Sequence, residues 1–192
     1  AEQAFRGHLD EINRCYQDAL KTKWFLGGRL ELKLRVAPDG KVAMAAVAQS
    51  SLGSFEVERC VQKVVAAIDF PRPKGGEAEL TYPVEFPQRA PVRSWPEERV
   101  ASSMARHRGE VSGCRGKAPP RPAQRASASK EGSSSALRVT VYVGPGGRVA
   151  SAGLAADEPI DEKVGACLVG RALTWRFEDP LGQLTKASFA FD

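Results

Sequence analysis

The chain repeats itself, and this repeat constrains the fold more than any other feature of the sequence. Two cysteines of the first half, Cys15 and Cys60, have counterparts in the second half, Cys114 and Cys167. Alternating apolar residues and the turn that follows them also recur in register: Leu30, Leu32, Leu34, Val36, Pro38, Gly40 and Val42 match Leu137, Val139, Val141, Val143, Pro145, Gly147 and Val149. Self-similarity of this kind predicts tandem copies of one supersecondary unit.

Each copy has the pattern of a helix, two strands, a second helix and a last strand. Residues 5–20 carry apolar side chains at helical spacing. Residues 29–36 alternate strictly between polar and apolar, as in a strand with one buried and one hydrated face. Pro38 and Gly40 suit a tight turn after that strand. We therefore predict an α+β protein of two tandem modules, each with a three-stranded antiparallel sheet and two helices on one face.

Changes in composition divide the chain. We expect the first module at residues 1–87, a proline-containing linker at 88–99 and the second, divergent module at 100–192. The second module contains an insertion at 115–135 that is rich in Pro, Ser, Ala, Arg and Lys. Such a composition buries too little apolar surface to order itself, so we expect a disordered segment there.

The cysteines lie at equivalent places on the two helices of each copy. This symmetry selects Cys15–Cys60 and Cys114–Cys167 among the three pairings that four cysteines allow. Two alternatives stay open, namely free buried thiols and a zinc site that includes His8 or His107. Against zinc, His8 and Cys15 are about 10 Å apart along one helix. Disulfides would place the protein in an oxidising compartment.

Charge and apolar content limit the possible partners. The net charge of +5 is only mildly basic, and we expect no nucleic-acid partner. The positive charges of residues 115–130 suggest contact with the cell wall or another anionic polymer, which is our alternative function. No apolar run approaches the roughly 18 residues that cross a bilayer. Because the sequence does not begin with Met, we expect any membrane anchor to precede residue 1.

The sequence contains no recognisable catalytic pattern. Gly144–Gly147 joins two strands, whereas a phosphate-binding loop joins a strand to a helix. Ser133–Ser135 has no adjacent histidine to activate a nucleophile. We therefore predict a protein that is not an enzyme and that has no catalytic residue, metal or cofactor.

The motifs of the first copy carry a family resemblance. They are Cys15–Leu20, Pro38–Val42, Val57–Val61, Phe70–Gly76 and Tyr82–Phe86. In this order they resemble the AgmX/PglI C-terminal domain, which belongs to the wider TonB C-terminal-like group. The resemblance covers nearly all of the first copy. The second copy departs from it, with Trp175–Asp179 in place of the Phe-Pro-x-Pro motif.

The resemblance implies a periplasmic protein-binding module of an envelope-spanning machine. In the TonB group, such modules pass force or conformational change to outer-membrane partners, and the AgmX and PglI proteins are associated with gliding motility. It also implies that the module is tethered to the inner membrane in the full-length protein. Protein binding and force coupling in a cell-envelope machine are therefore the functions that we expect, with energy transduction as the associated process.

The last strand of the first copy is our candidate for contact with a partner. Because it closes the module in sequence, we expect it at a sheet edge, where its backbone groups are free for an added strand. The predicted partner-binding residues are Glu77, Glu79, Thr81 and Tyr82. The alternative is that the second copy covers this edge and joins the two sheets.

Overall fold

A computed structural model describes residues 2–115 and 136–191. Within these ranges the protein has the predicted α+β class, with six helices and two sheets. The elements of the first half are α1 (Glu2–Arg6), α2 (Leu9–Leu20), β1 (Gly28–Val36), β2 (Val42–Ser50), α3 (Phe55–Ala66) and β3 (Ala78–Phe86). Those of the second half are β4 (Arg93–Ser94), α4 (Glu97–Ala105), α5 (Arg108–Arg115), β5 (Leu137–Val143), β6 (Val149–Ala155), α6 (Glu162–Ala172) and β7 (Thr185–Phe191).

The two sheets have the same strand order at their centres. The first is antiparallel, in the order β2-β1-β3, and the second contains the matching series β6-β5-β7. Leu32 lies opposite Tyr82, and Val139 lies opposite Phe189, so equivalent residues of the strands differ by 107 in number. In each half, the apolar face of the sheet packs with the helices into its own core.

Two details of the prediction were wrong. The first helix of each copy is broken, so the described part of each half has three helices instead of two. The breaks fall before His8 and His107, whose N–H groups bond three residues back, to the carbonyls of Phe5 and Met104. The second sheet also has a fourth strand, β4, which pairs with β7 in parallel. The predicted linker, residues 88–99, thus contains β4 and the start of α4.

The second half packs against the β2 side of the first sheet, which is the side opposite β3. The backbone N–H of Ala156 donates to the carbonyl of Val47 over 2.8 Å. Tyr142, on the face of β5 that turns away from its own helices, is fully buried and joins the first core. The alternative in which the second copy joins the two sheets at β3 is therefore wrong for the residues that the structure describes. Within the described ranges, no helix has both the length and the apolar character to cross a membrane.

Candidate functional site

The outer edge of β3 is the candidate site. β3 pairs with β1 along all nine of its residues. Among residues 2–115 and 136–191, no strand pairs with its other side. An open edge of this length presents a row of backbone donors and acceptors on which another strand can form.

Pro83 identifies which residues of β3 direct their backbone outward. Proline has no N–H, so within a sheet it is tolerated where the missing donor would face away from the ladder. Pro83 lies opposite Glu31, and this pair therefore makes no hydrogen bonds between β1 and β3. Because backbone direction alternates along a strand, Glu79 and Thr81 also turn their N–H and C=O groups outward. Pro83 interrupts the row of outward donors and only Glu85 follows it within β3, so the usable edge is the part before Pro83.

The side chains of β3 alternate between water and the core. Glu77, Glu79 and Thr81 are exposed, as predicted for residues that contact a partner. Tyr82 lies on the other face and stacks on the ring of Phe5, with centroids 3.8 Å apart. We therefore place Tyr82 among the residues that hold β3 on the core, and not on the partner-facing surface.

In the second sheet, the equivalent edge is the outer edge of β7, and a short strand of the same chain, β4, pairs with it. The N–H of Arg93 donates to the carbonyl of Leu184 over 3.1 Å, and that of Trp95 to the carbonyl of Lys186 over 2.9 Å. By the offset of 107, Leu184 and Lys186 correspond to Glu77 and Glu79. The chain thus adds a short parallel strand to β7 at the level where β3 is open.

An open apolar cavity lies beside the free edge. Its volume is about 160 Å³, and it is formed by the start of β3, the end of β1 and the segment after α3. The residues that line it are Val36, Phe70, Pro71, Pro73, Ala78 and Leu80. A side chain from an added strand that pointed to the helix side of the sheet would enter this cavity.

Disulfides hold the helices behind both sheets. Cys15 is bonded to Cys60 and Cys114 to Cys167, and these are the pairs that the repeat predicts. All four sulfurs are therefore unavailable as zinc ligands. His8 and His107 instead lie within 3.1 Å and 2.9 Å of carboxylate oxygens of Glu11 and Glu110.

A buried carboxylic acid joins the two halves. Glu58 is 1% exposed, and its two side-chain oxygens accept hydrogen bonds from Ser50 Oγ at 2.6 Å and from the N–H of Leu154 at 2.7 Å. Desolvation raises the pKa of Glu58 to about 7, although these hydrogen bonds oppose the change. Gly153 allows the close approach, because a Cβ there would overlap Glu58 and the Cα of Gly53.

A second polar contact between the halves involves Tyr142 and Lys186. The hydroxyl of Tyr142 donates to the carbonyl of Gly27 over 2.9 Å and accepts from its N–H over 3.2 Å. Lys186 Nζ donates to the same carbonyl over 2.6 Å, and burial lowers the pKa of Lys186 to about 8. Together with Glu58, these contacts fix the second half on the first and leave β3 outside the junction.

One predicted feature lies almost wholly outside the described residues, and several features of the structure were not predicted. The basic segment 115–130 lies outside the described residues except for its first residue, so its predicted polymer contact has no structural description. Sequence reasoning missed β4, Glu58, Lys186 and the role of Pro83. A proline within a strand pattern was the one available signal, because it marks an edge strand and its outward register.

Comparison of the chain with protein-family models, with curated proteins and with solved structures found no match.

Proposed function

We propose that this protein is a non-catalytic binding module that captures an extended segment of another cell-envelope protein on the outer edge of β3. The observation that carries this proposal is the contrast between the two sheets. The β7 edge is filled by a strand of the same chain, whereas no strand in the described part of the chain pairs with the equivalent edge of β3. Main-chain hydrogen bonds supply affinity in strand addition, and alternate side chains supply specificity.

Cross-links within and between the two halves support a role in transmitting force. Each helix layer is cross-linked by a disulfide, and the two halves share a buried polar junction. A load applied at β3 would pass into the sheet through β1, with which β3 pairs along its whole length. Two disulfides are typical of proteins from an oxidising compartment, and we assign the module to the periplasm.

Thr81→Pro tests the proposed edge. It removes an outward N–H and leaves the bonds between β3 and β1 in place, as the native Pro83 does. Peptides selected on the full chain from a random phage-displayed library serve as probes. We expect Thr81→Pro to weaken their binding about tenfold or more, measured by fluorescence anisotropy.

The matched control is Thr81→Val, which changes the same side chain and keeps the N–H. It should bind the peptides nearly as well as the wild type does. Thermal unfolding of both variants establishes that they are folded. Unchanged binding of the selected peptides to folded Thr81→Pro protein would contradict the proposal.

A polar cleft favours a second candidate, the binding of an anionic cell-wall polymer. The cleft has a volume of about 410 Å³ and is lined by two arginines, Arg29 and Arg138, by one carboxylate, Glu31, and by serine and glutamine side chains. Polyglutamate is a suitable probe for such a site. If the polymer binds here, its affinity should fall steeply with salt and should fall again in Arg29→Ala/Arg138→Ala protein. Binding that is insensitive to salt would contradict this second candidate.

A further inference from the structure

The strand that fills the β7 edge serves as a template for a segment on β3. In β4, Arg93 lies opposite Thr185 and Ser94 lies opposite Lys186, and the two strands run parallel. Trp95 follows directly and is partly buried against the second core. Subtracting 107 places the first two positions of an equivalent segment opposite Ala78 and Glu79, and the third beside Leu80.

The edge-strand residue that lies beside the second position of the segment has opposite charges in the two sheets. Ser94 lies beside a lysine, Lys186, whereas its equivalent on β3 would lie beside Glu79. Glu79 is exposed, and the exposed Glu77 lies just before the strand. Opposite charges directly across two neighbouring strands stabilise the pairing, whereas like charges destabilise it. A lysine or arginine at the second position therefore fits β3.

The third position of the segment faces the helix side of the sheet. Leu80 and Ala78 point to that side and line the open apolar cavity of about 160 Å³. On β7 the corresponding position is taken by Trp95, which packs on the core. A bulky apolar residue, and an aromatic one in particular, would bury its surface in this cavity.

We propose that the partner of β3 is an extended segment that runs parallel to it, an inference that rests on the proposed function. The segment carries a basic residue opposite Glu79. An aromatic or large aliphatic residue follows directly. The orientation, the order of the two residues and their spacing all follow from the arrangement of β4 on β7.

Peptides based on residues 91–97 of this chain test the inference. The first carries Ser94→Lys, and the second carries the charge-reversed Ser94→Glu. A third combines Ser94→Lys with Trp95→Ser. Fluorescein-labelled peptides are titrated into the full chain, and backbone amide shifts at Glu79, Thr81 and Lys186 show whether binding occurs at β3 or replaces β4 on β7.

We expect the Ser94→Lys peptide to bind at β3 about fivefold more tightly than the Ser94→Glu peptide. Glu79→Lys in the protein should reverse that order. Loss of the indole in the third peptide should weaken binding about tenfold. Glu85→Lys is the matched control, because Glu85 is exposed on the same strand but lies beyond Pro83, and it should leave the preference unchanged.

The outcomes separate this inference from the function on which it rests. If the library-selected peptides bind at β3 but the preference does not reverse with Glu79→Lys, the proposed chemistry of the partner is wrong and the binding edge stands. If the peptides shift only Lys186 and its neighbours, β3 is not their site and the inference is overturned. Failure of the Thr81→Pro test overturns the function itself, together with the inference.

Discussion

Replacing the disulfide between α2 and α3 with Cys15→Ala/Cys60→Ala should lower the free energy of unfolding by about 4 kcal/mol. The two cysteines are 45 residues apart, and the cross-link restricts the unfolded chain by closing a loop of that length. Domains of this size are stable by only about 5–15 kcal/mol, so the loss is a large share of the total. Urea unfolding of the oxidised wild type and of the variant measures the difference.

The second disulfide provides the comparison. Cys114 and Cys167 are 53 residues apart, so Cys114→Ala/Cys167→Ala should have nearly the same effect on unfolding. Reduction of the wild type with dithiothreitol should approach the sum of the two losses. A variant without the first disulfide that unfolds at the wild-type urea concentration would show that the cross-link contributes little to stability.

Glu58→Gln should remove a dependence of stability on pH that amounts to about 3 kcal/mol. Burial raises the pKa of Glu58 from its ordinary value of 4.5 to about 7 in the folded protein. Between these two pH values the folded state holds a proton that the unfolded state has released. The contribution of Glu58 to stability is therefore complete below pH 4.5 and is lost as the pH rises to about 7.

Urea unfolding of both proteins between pH 4.5 and 8 gives the measurement, because this range contains both pKa values of Glu58. The free energy of the wild type should fall relative to that of Glu58→Gln across this range, and above pH 7 the variant should be the more stable protein. Glu85→Gln changes an exposed carboxylate and should leave the wild-type profile unchanged. Parallel profiles for the wild type and Glu58→Gln would contradict a raised pKa for the buried Glu58 at the junction.

The repeat predicted the features that depend on local patterns. Alternation in residues 29–36 is sufficient to define a half-buried strand, and β1 covers this stretch. The equivalent places of Cys15 and Cys114 led to the pairs that the structure contains. Features of this kind could be predicted because each depends on contacts within one copy.

The missed features depend on contacts between the copies. Glu58 has the sequence context of an exposed residue on an amphipathic helix, and its burial requires Leu154, which is 96 residues away. Tyr142 occupies the face of β5 that alternation assigns to water, yet that face packs on the first core. β4 has only two residues, both polar and exposed, so no periodic pattern could indicate it.

The same distinction applies to the candidate site. The sequence placed β3 at an edge because it closes the first copy, and the structure has it there. It could not indicate which edge the second half would cover, since that depends on how two finished modules pack. The filled edge of β7 was also unpredictable, and it supplies the orientation and spacing that we propose for the partner.

Amide hydrogen exchange at β3, followed by nuclear magnetic resonance with and without a library-selected peptide, tests the central claim most directly. In the free chain, the outward N–H groups of Glu79 and Thr81 should exchange quickly, whereas those of Leu80 and Tyr82, bonded to β1, should be protected. We predict that the peptide slows exchange at Glu79 and Thr81 about tenfold or more and changes Lys186 little. Bound peptide that leaves exchange at Glu79 and Thr81 unchanged would contradict the account.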